Sequence, residues 1–380
     1  MKTLILGSGM MARAVAYDLV RQRDVPEVIV CDREPGQLQA LCRWLKSPKL
    51  RIVRADVTDR RAVRRLMERC DVAVSCVPYF YNLSLTRLAI ATRTHFCDLG
   101  GNNGIVRRQL ELDCRARRAN VTVVPDCGLA PGMTNILVAD GVSRLDSTEV
   151  VRIRVGGLPQ KPRPPFNYRL VFSAHGLINE YSEPCLVIRN WRQSWVEPLT
   201  DVEAIDFPEP FGRLEAFNTS GGSSTLPETL RGRVRSLDYK TVRYPGHCAQ
   251  FRLLRELGLM DSEPVTINRR RVVPREVLIY LLERMLGFEQ DDVVLLRVEV
   301  RGKGQGRVRT IRYEVIDYAE RRTGLTAMMR TTGFSAAIVA LMLGRGQANG
   351  PGVLPNERAI PPGLFIKELP KRGIRLKISA

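Results

Sequence analysis

A glycine-rich turn lies near the start of the chain, at residues 7–12 (Gly-Ser-Gly-Met-Met-Ala). It follows an apolar run at residues 2–6 and precedes a segment, residues 12–21, with helical periodicity. In a turn of this spacing the first glycine permits the bend, the second lets a phosphate approach the backbone, and the alanine lets the helix pack closely. The free N–H groups of the helix then face the phosphates. The turn therefore predicts a site for a dinucleotide pyrophosphate.

An acidic residue, Asp32, ends the second apolar run, 20 positions after Ala12. A carboxylate there accepts hydrogen bonds from the adenosine ribose and repels a 2′-phosphate, which favours NAD. Arg33 is a basic neighbour of the kind that holds such a phosphate, so NADP is the alternative. The predicted cofactor-binding residues are Gly7, Gly9, Met10, Met11, Asp32, Arg33, Asp56, Val57, Cys76, Val77, Pro78 and Gly100.

Three further turns follow the fourth, fifth and sixth apolar runs, at residues 75–79, 98–102 and 125–135. Ligands of such sheets collect at the carboxyl ends of the strands, so we expect the nicotinamide and the substrate beside these turns. Ordinary tight turns are the alternative for the first two.

The stretch 239–247 combines a lysine, an arginine and a histidine, Lys240, Arg243 and His247. A carboxylate is best held by a bidentate arginine, and a lysine or histidine can take up a proton. We expect Arg243 to bind a carboxylate and either Lys240 or His247 to act as a base. An ion-paired lysine and a hydrogen-bonded structural histidine are the alternatives. The Gly/Ser segment at residues 219–222 either contacts the substrate or turns the chain.

Strands and helices alternate through the first 125 residues, which predicts an α/β Rossmann fold with a doubly wound parallel sheet. From about residue 148 the alternation of strands and helices ends and longer strands are predicted, including a hairpin at residues 294–302 and 307–317. Helices are predicted at residues 326–344 and 362–373, the last of them ending the fold. These patterns predict a dinucleotide-binding domain at residues 1–128, an inserted α+β substrate and dimerisation domain at 129–324, and C-terminal helices at 325–380 that return to the first domain.

The composition favours a cytoplasmic globular protein, with 44% hydrophobic and 26% charged residues over 380 positions. The net charge of +19 suits an anionic partner, but only nine of the 59 basic residues are lysines and no stacking aromatics lie among them. We therefore expect no nucleic-acid partner. No apolar run reaches the length of a membrane span, and nine scattered cysteines without a CxxC pair predict reduced thiols and no metal site.

Several segments together resemble the saccharopine dehydrogenase family: residues 7–12, 98–101, 125–135, 217–222, 239–247 and 326–330. The likeness extends from residue 1 to about residue 373 and is most specific at Asp126 and in the stretch 239–247. Within the family the chain is most similar to bacterial enzymes that act on L-lysine. The resemblance implies a Rossmann domain completed by C-terminal helices, an inserted α/β domain with substrate contacts, and a homodimer.

The resemblance also implies a reaction, the NAD-dependent oxidative deamination of the ε-amine of L-lysine. A dehydrogenase or reductase for saccharopine or carboxynorspermidine is the alternative within the family, and a Rossmann-type binding protein without activity is the alternative outside it. The expected catalytic residues are Lys240, His247 and Asp126, and Asp126 or Asp98 is expected to hold the ammonium of the amino-acid substrate. The expected substrate-binding residues are Tyr79, Asp98, Gly101, Asp126, Thr219, Ser220, Gly221, Arg243 and Tyr244.

Overall fold

The computed structural model describes residues 1–288 and 291–380, and this part of the chain forms two compact units. Unit 1 contains Met1–Ser143, Ser224–Leu226 and Met329–Leu376. Unit 2 contains Arg144–Ser223, Pro227–Met328 and Lys377–Ala380. The first division of the chain thus falls after Ser143, whereas the sequence analysis placed it after residue 128.

Unit 1 is built on a sheet whose seven described strands all pair in parallel. The strands are β1 (Lys2–Leu6), β2 (Glu27–Asp32), β3 (Leu50–Arg54), β4 (Val72–Ser75), β5 (His95–Asp98), β6 (Thr122–Val124) and β17 (Gly352–Val353). Their order is β17-β6-β5-β4-β1-β2-β3, so the chain winds outward from β1 in both directions. The predicted doubly wound sheet is confirmed.

Helices connect these strands and cover the sheet. They are α1 (Met10–Leu19), α2 (Pro35–Leu45), α3 (Arg60–Met67), α4 (Asn82–Thr92), α5 (Asn103–Leu110), α6 (Asp113–Ala119), α7 (Met133–Ser143), α13 (Asn356–Ala359) and α14 (Pro362–Glu368). The apolar strand residues are buried because both faces are covered, as the uninterrupted apolar runs indicate. The helical pattern of residues 106–119 predicts one helix, and this prediction is wrong. The segment contains parts of two helices, α5 and α6, because the chain turns at Leu112 and buries that side chain.

Unit 2 contains a mixed sheet of nine described strands. They are β7 (Ser147–Pro159), β8 (Cys185–Arg189), β9 (Arg192–Val196), β10 (Glu203–Phe207), β11 (Gly212–Asn218), β12 (Ser236–Arg243), β15 (Asp292–Gly304), β16 (Arg307–Tyr318) and β18 (Leu376–Ser379). Their order is β10-β11-β12-β7-β15-β16-β18, with β8 beside β12 and β9 beside β8. A separate hairpin is formed by β13 (Val265–Ile267) and β14 (Arg270–Val272). The predicted hairpin is confirmed as the antiparallel pair β15–β16. The fold does not end with a helix, because β18 follows α14 along the chain.

The remaining helices are α8 (Ala174–Ser182), α9 (Leu226–Thr229), α10 (His247–Glu256), α11 (Pro274–Leu286) and α12 (Ala327–Gly344). Helix α12 is long and apolar enough to cross a membrane by length and composition, but 89% of its 18-residue window is buried within the protein, as in a core helix. Its first turn is capped by Asp292, whose carboxylate accepts hydrogen bonds from the N–H groups of Ala327 and Met328 at 2.7 and 3.0 Å. This cap satisfies N–H groups that the helix itself leaves unpaired.

All nine cysteines are free thiols, and Cys42 and Cys114 are exposed on helices of unit 1. Within residues 1–288 and 291–380, no group of three or more His, Cys, Asp or Glu side chains is arranged to hold a metal ion.

The turn between β6 and α7 depends on Gly132, and it yields a test of the fold. Gly132 has a φ of +131°, and a Cβ added there would lie 2.2 Å from the carbonyl oxygen of Gly128. We expect Gly132→Ala to lower the free energy of unfolding by roughly 2–4 kcal/mol, because both the backbone and the packing become strained. Gly363→Ala in the same unit is the control, since a Cβ there meets no atom within 4 Å. Equal urea midpoints for both variants would contradict the expectation.

Candidate active site

The turn between β1 and α1 leaves an open approach to its backbone. A Cβ added at Gly7 would lie 3.0 Å from the carbonyl oxygen of Cys76, whereas a Cβ at Gly9 would meet no atom within 4 Å and would project into open space. No side chain caps the first turn of α1, so its N–H groups are available to an anion. The residues of this turn therefore fit a dinucleotide pyrophosphate.

Asp32 is held beside this turn by Ser8, a residue that the sequence analysis did not single out. The N–H and hydroxyl groups of Ser8 donate to one carboxylate oxygen of Asp32 at 2.7 and 2.8 Å, and the N–H of Glu34 donates to the other at 2.9 Å. A carboxylate offers about four acceptor positions, so capacity for a ribose hydroxyl remains. Arg33 lies 3.4 Å from the carboxylate of Glu34, and its charge is therefore partly balanced.

Asp56 lies in the turn that follows the carboxyl end of β3. Its carboxylate accepts from the N–H and hydroxyl of Thr58 at 2.8 and 2.7 Å, and these bonds lower its pKa. The neighbouring Val57 is half-buried, and its side chain packs against the core of unit 1.

The ends of β1, β4 and β5 meet, as the sequence analysis expects. Beside Gly7 lie the carbonyl of Cys76 and the side chain of Val77, and the ring of Tyr79 lies 3.2 Å from the position of a Cβ on Gly101. Glycine at both positions therefore keeps these turns in close contact. The other predicted cofactor residues flank the same turns: Met10 and Met11 open α1, Pro78 follows β4, and Gly100 follows β5.

Asp98 is a correction to the prediction. Its carboxylate is fully buried and accepts hydrogen bonds from the N–H of Gly100 at 2.8 Å, the side chain of Gln109 at 2.7 Å and the N–H of Asp126 at 3.2 Å. These bonds join the turns after β5 and β6. Asp98 therefore positions the two turns, and the buried geometry does not support a contact with substrate.

Asp126 is a buried titratable group in the turn after β6, at the carboxyl edge of the sheet. Burial raises its pKa to about 8, and the nearby carboxyl of Asp98 contributes in the same direction. The hydroxyl of Ser224 donates to its carboxylate, and the side-chain amide of Asn356 donates to its carbonyl at 2.7 Å. A Cβ on Gly100 would overlap the carboxylate, so glycine is required there. Asp126 can therefore exchange a proton close to neutral or mildly alkaline pH.

Arg243 is the corresponding charged group of unit 2. Its guanidinium is buried, donates to the hydroxyl of Tyr181 at 3.1 Å and to the carbonyl of Val242 at 3.0 Å, and lies 4.7 Å from the ring centre of Tyr168. In the part of the chain that the structure describes, no carboxylate lies within ion-pair distance of it. A buried cation without a counter-ion fits an anionic ligand, which agrees with the predicted carboxylate contact.

His247 is held in a neutral form, and this corrects its predicted role as a base. Burial lowers its pKa well below the usual value, and the charge of Arg243 lowers it further. Its Nδ1 lies 3.2 Å from the carbonyl of Phe166, which can only accept, so its Nε2 accepts from the hydroxyl of Tyr181 at 3.0 Å. Both ring nitrogens are used. His247 therefore orients Tyr181, which in turn receives the Nε–H of Arg243.

Lys240 lies on the other face of the sheet from Arg243, because the two are an odd number of residues apart in β12. Its ammonium donates to the carbonyl of Asp201 at 2.6 Å and to Glu203 at 2.8 Å, and Glu203 also pairs with Arg154 at 2.5 Å. The predicted catalytic role is not supported. Lys240 belongs to a structural ion-pair network.

Most of the other side chains that were predicted to contact substrate in unit 2 already hydrogen-bond to partners within the unit. The hydroxyl of Thr219 bonds to that of Thr241 at 2.7 Å, and Ser220 donates to the carbonyl of Asn179 at 3.2 Å. Tyr244 donates to the carbonyl of Pro159 at 3.0 Å and packs in a different apolar cluster from Tyr168 and Tyr181. These three side chains serve the fold. Gly221 has a φ of +86° and open space where a Cβ would project.

The site residues that the sequence analysis missed have no motif to mark them. Ser8 lies inside the glycine turn, but Ser224, Tyr168 and Tyr181 occupy segments with no recognisable spacing. Tyr181 and Arg243 are 62 positions apart, and only tertiary folding brings them together.

Comparison with known proteins covers nearly the whole chain. A family model described as "Saccharopine dehydrogenase NADP binding domain" matches residues 3–124, and one described as "Saccharopine dehydrogenase C-terminal domain" matches residues 128–374. The saccharopine dehydrogenase [NADP(+), L-glutamate-forming] of Saccharomyces cerevisiae is 23% identical over 72% of this chain and 62% of its own length. The carboxynorspermidine synthase of Vibrio cholerae is 20% identical over 98% of this chain and 96% of its own.

The fold is also that of a solved structure. The apo saccharopine dehydrogenase (L-Glu forming) from Saccharomyces cerevisiae covers 100% of both chains with a TM-score of 0.80 and 21% identity.

The revised role of Lys240 can be tested directly. We expect Lys240→Met to lower the free energy of unfolding by roughly 1–3 kcal/mol, because Glu203 loses a buried partner. The kcat of the folded variant should be unchanged, since Lys240 faces away from Arg243. Lys303→Met, at an exposed position of the same unit, is the control for the loss of one positive charge. A large decrease in the kcat of Lys240→Met, with an unchanged free energy of unfolding, would instead support a catalytic role for Lys240.

Proposed function

This chain belongs to the saccharopine dehydrogenase family, and on that premise we propose that it oxidises the ε-amine of L-lysine with NAD. The products are 2-aminoadipate 6-semialdehyde, which cyclises to a piperideine carboxylate, and ammonia. The observation that carries the proposal is Arg243, a buried guanidinium without a carboxylate partner among the described residues. It suits a substrate that presents a single carboxylate.

The cofactor would be held by unit 1. The backbone at Gly7 and Gly9 and the first turn of α1 would bind the pyrophosphate, and Asp32 would bind the adenosine ribose. When bound, the nicotinamide ring accepts the hydride. The proposed preference for NAD rests on Asp32 and on the pairing of Arg33 with Glu34, which weakens any grip on a 2′-phosphate. NADP remains the alternative, and it is the cofactor in the name of the yeast relative.

The residues of the chain supply binding and proton transfer. An ε-ammonium must lose its proton before the adjacent carbon can give up hydride, and water must then hydrolyse the imine. Oxidation of one ε-ammonium to an aldehyde and an ammonium ion releases one net proton. Asp126, with a pKa raised to about 8, is the group proposed to accept it. Ser224 holds the carboxyl in place by its hydrogen bond.

The alternative substrates, saccharopine and carboxynorspermidine, are larger and carry extra charges. Saccharopine carries two carboxylates more than lysine and needs at least one further cation to hold them, whereas carboxynorspermidine carries a single carboxylate. Among the buried cations that the structure describes in unit 2, Arg154 and Lys240 are both paired with Glu203, which leaves Arg243. A further carboxylate of saccharopine would bind through half-buried Arg169, whose Nε has no hydrogen-bond partner among the described residues. One buried arginine without a carboxylate partner therefore favours a substrate with one carboxylate over saccharopine.

We propose that the protein acts on a small-molecule substrate in the cytoplasm. The protein would act as a homodimer, without a nucleic-acid partner and without association with a membrane.

The proposed reaction predicts a specific product pattern. Purified protein with NAD and L-lysine at alkaline pH should raise the absorbance at 340 nm and release one ammonia per NADH. NADP should support a lower rate, and saccharopine, which would release glutamate, should be a poor substrate. Arg243→Ala should raise the KM for lysine at least tenfold, because a charge-assisted hydrogen bond of about 1.5–3 kcal/mol is lost. NADH formation with saccharopine but not with lysine would overturn the lysine assignment in favour of the alternative.

The raised pKa of Asp126 predicts the pH profile. A carboxyl whose pKa is raised to about 8 is protonated below that pH and can accept a proton only above it, so kcat should increase through about pH 8. Asp126→Asn should lower kcat by roughly 10²–10⁴-fold and remove this increase. The measurement is kcat at saturating lysine, since the free ε-amine itself titrates near ~10.4 and affects kcat/KM. An unchanged profile in Asp126→Asn would exclude Asp126 as the acceptor.

A further inference from the structure

We propose that Arg243, Tyr168 and Glu180 in unit 2 form a site for the free zwitterionic head group of an α-amino acid, in which Glu180 selects for the α-ammonium. The inference rests on the proposed function, since it specifies the class of substrate, and it reassigns the ammonium contact that the sequence analysis gave to Asp98 or Asp126.

The carboxylate side of this site consists of Arg243 and Tyr168. The relay from Arg243 through Tyr181 and His247 to the carbonyl of Phe166 fixes the guanidinium by its Nε–H, and the carbonyl of Val242 takes one further N–H. In residues 1–288 and 291–380 no acceptor lies within hydrogen-bond distance of the remaining N–H groups. A guanidinium carries five N–H donors, so donors remain for a bidentate contact with a carboxylate.

Tyr168 is a second, independent feature that points to an anionic ligand. Its ring lies under the guanidinium at 4.7 Å, and its hydroxyl is buried. The backbone N–H of Val171 faces this hydroxyl and lowers its pKa, but among the described residues no group accepts the hydroxyl proton. Buried hydroxyl groups are nearly always paired, because leaving one unpaired costs free energy. A carboxylate held by Arg243 would accept this hydroxyl as well.

The ammonium side of the site is Glu180. It precedes Tyr181 on α8, and it is half-buried. Its backbone carbonyl accepts from the N–H of Ser220 at 3.0 Å, whereas its carboxylate makes no hydrogen bond or ion pair with the described residues. The next residue on α8, Tyr181, accepts from Arg243 at 3.1 Å, so the helix brings Glu180 to the same cluster. In agreement with this position, the charge of Glu180 raises the pKa values of Arg243, Tyr168 and Tyr239.

Among the described residues Glu180 and Arg243 form no ion pair with each other, so each can pair with one end of a zwitterion. Burial raises the pKa of Glu180 to about 7, and the nearby Arg243 opposes that increase. A bound ammonium would stabilise the ionised carboxylate in the same way, so binding would keep Glu180 charged. Because an α-amino acid places its ammonium beside its carboxylate, both contacts are made only when both groups are free. The site therefore rejects amines without a carboxylate and acids without an α-ammonium.

Three ligands separate these contacts: L-lysine, 6-aminohexanoate, which lacks the α-ammonium, and 1,5-diaminopentane, which lacks the carboxylate. Their binding to the full-length protein is measured by calorimetry, independently of turnover. Wild type should bind lysine at least tenfold more tightly than either analogue. Glu180→Gln should weaken lysine by about 10–100-fold and leave 6-aminohexanoate within about twofold, because only lysine has a charge for Glu180 to hold. Glu256→Gln, at an exposed position of the same unit, is the control.

Tyr168→Phe provides the second variant. It removes a hydroxyl whose proton has no acceptor among the described residues, so the urea midpoint should change little. The affinity for lysine and for 6-aminohexanoate should nevertheless fall about 3–10-fold, while 1,5-diaminopentane is unaffected. A purely structural tyrosine would not produce this pattern.

The outcomes distinguish this site from the proposed function. Equal weakening of lysine and 6-aminohexanoate by Glu180→Gln, or no weakening of either, overturns the head-group assignment. If wild type binds neither L-lysine nor L-saccharopine, the head-group assignment is overturned as well. Selective binding of lysine without NADH formation leaves the head-group site standing and overturns only the proposed oxidation of lysine.

Discussion

The parallel pairing of the first sheet is the constraint on which the candidate cofactor site depends. Because β1 to β6 all run in one direction, their carboxyl ends lie on the same edge. The turns that follow them therefore converge: Gly7 beside Cys76 and Val77, Gly101 beside Tyr79, and Asp98 bonded to the turn of Asp126. An antiparallel sheet would distribute these turns over two edges, and no single cradle for a nucleotide would form.

Burial without full pairing distinguishes the groups that can act on a ligand from those that maintain the fold. Asp98 and Lys240 are both buried and ionisable, but each has its partners within the protein. Arg243 is equally buried, yet in the described chain its only recorded acceptors are a tyrosine hydroxyl and a backbone carbonyl. Desolvating a guanidinium is costly unless an anion compensates, so the second arrangement is the one that a ligand completes.

The neutral histidine shows how the scaffold supports that arginine. His247 has neither the charge nor a free nitrogen that a base needs, but its fixed tautomer determines the direction of the hydrogen bond from Tyr181. Tyr181 can then only accept from Arg243. The side chain that looked catalytic from its chemical type therefore acts two hydrogen bonds away from Arg243, as a positioning residue.

The sequence by itself determined the sheet of unit 1 and its cofactor turn, because continuous apolar runs, the spacing of Gly7, Gly9 and Ala12, and Asp32 all act over short distances along the chain. It also identified Arg243 and Asp126 as candidates. Only the tertiary structure decided which candidates are free to act. Lys240 and Arg243 are three residues apart and chemically similar, but the pleat of β12 sends them to opposite faces and to different partners. Those partners, Glu203 for one and Tyr181 for the other, come from distant segments whose contacts no local pattern encodes.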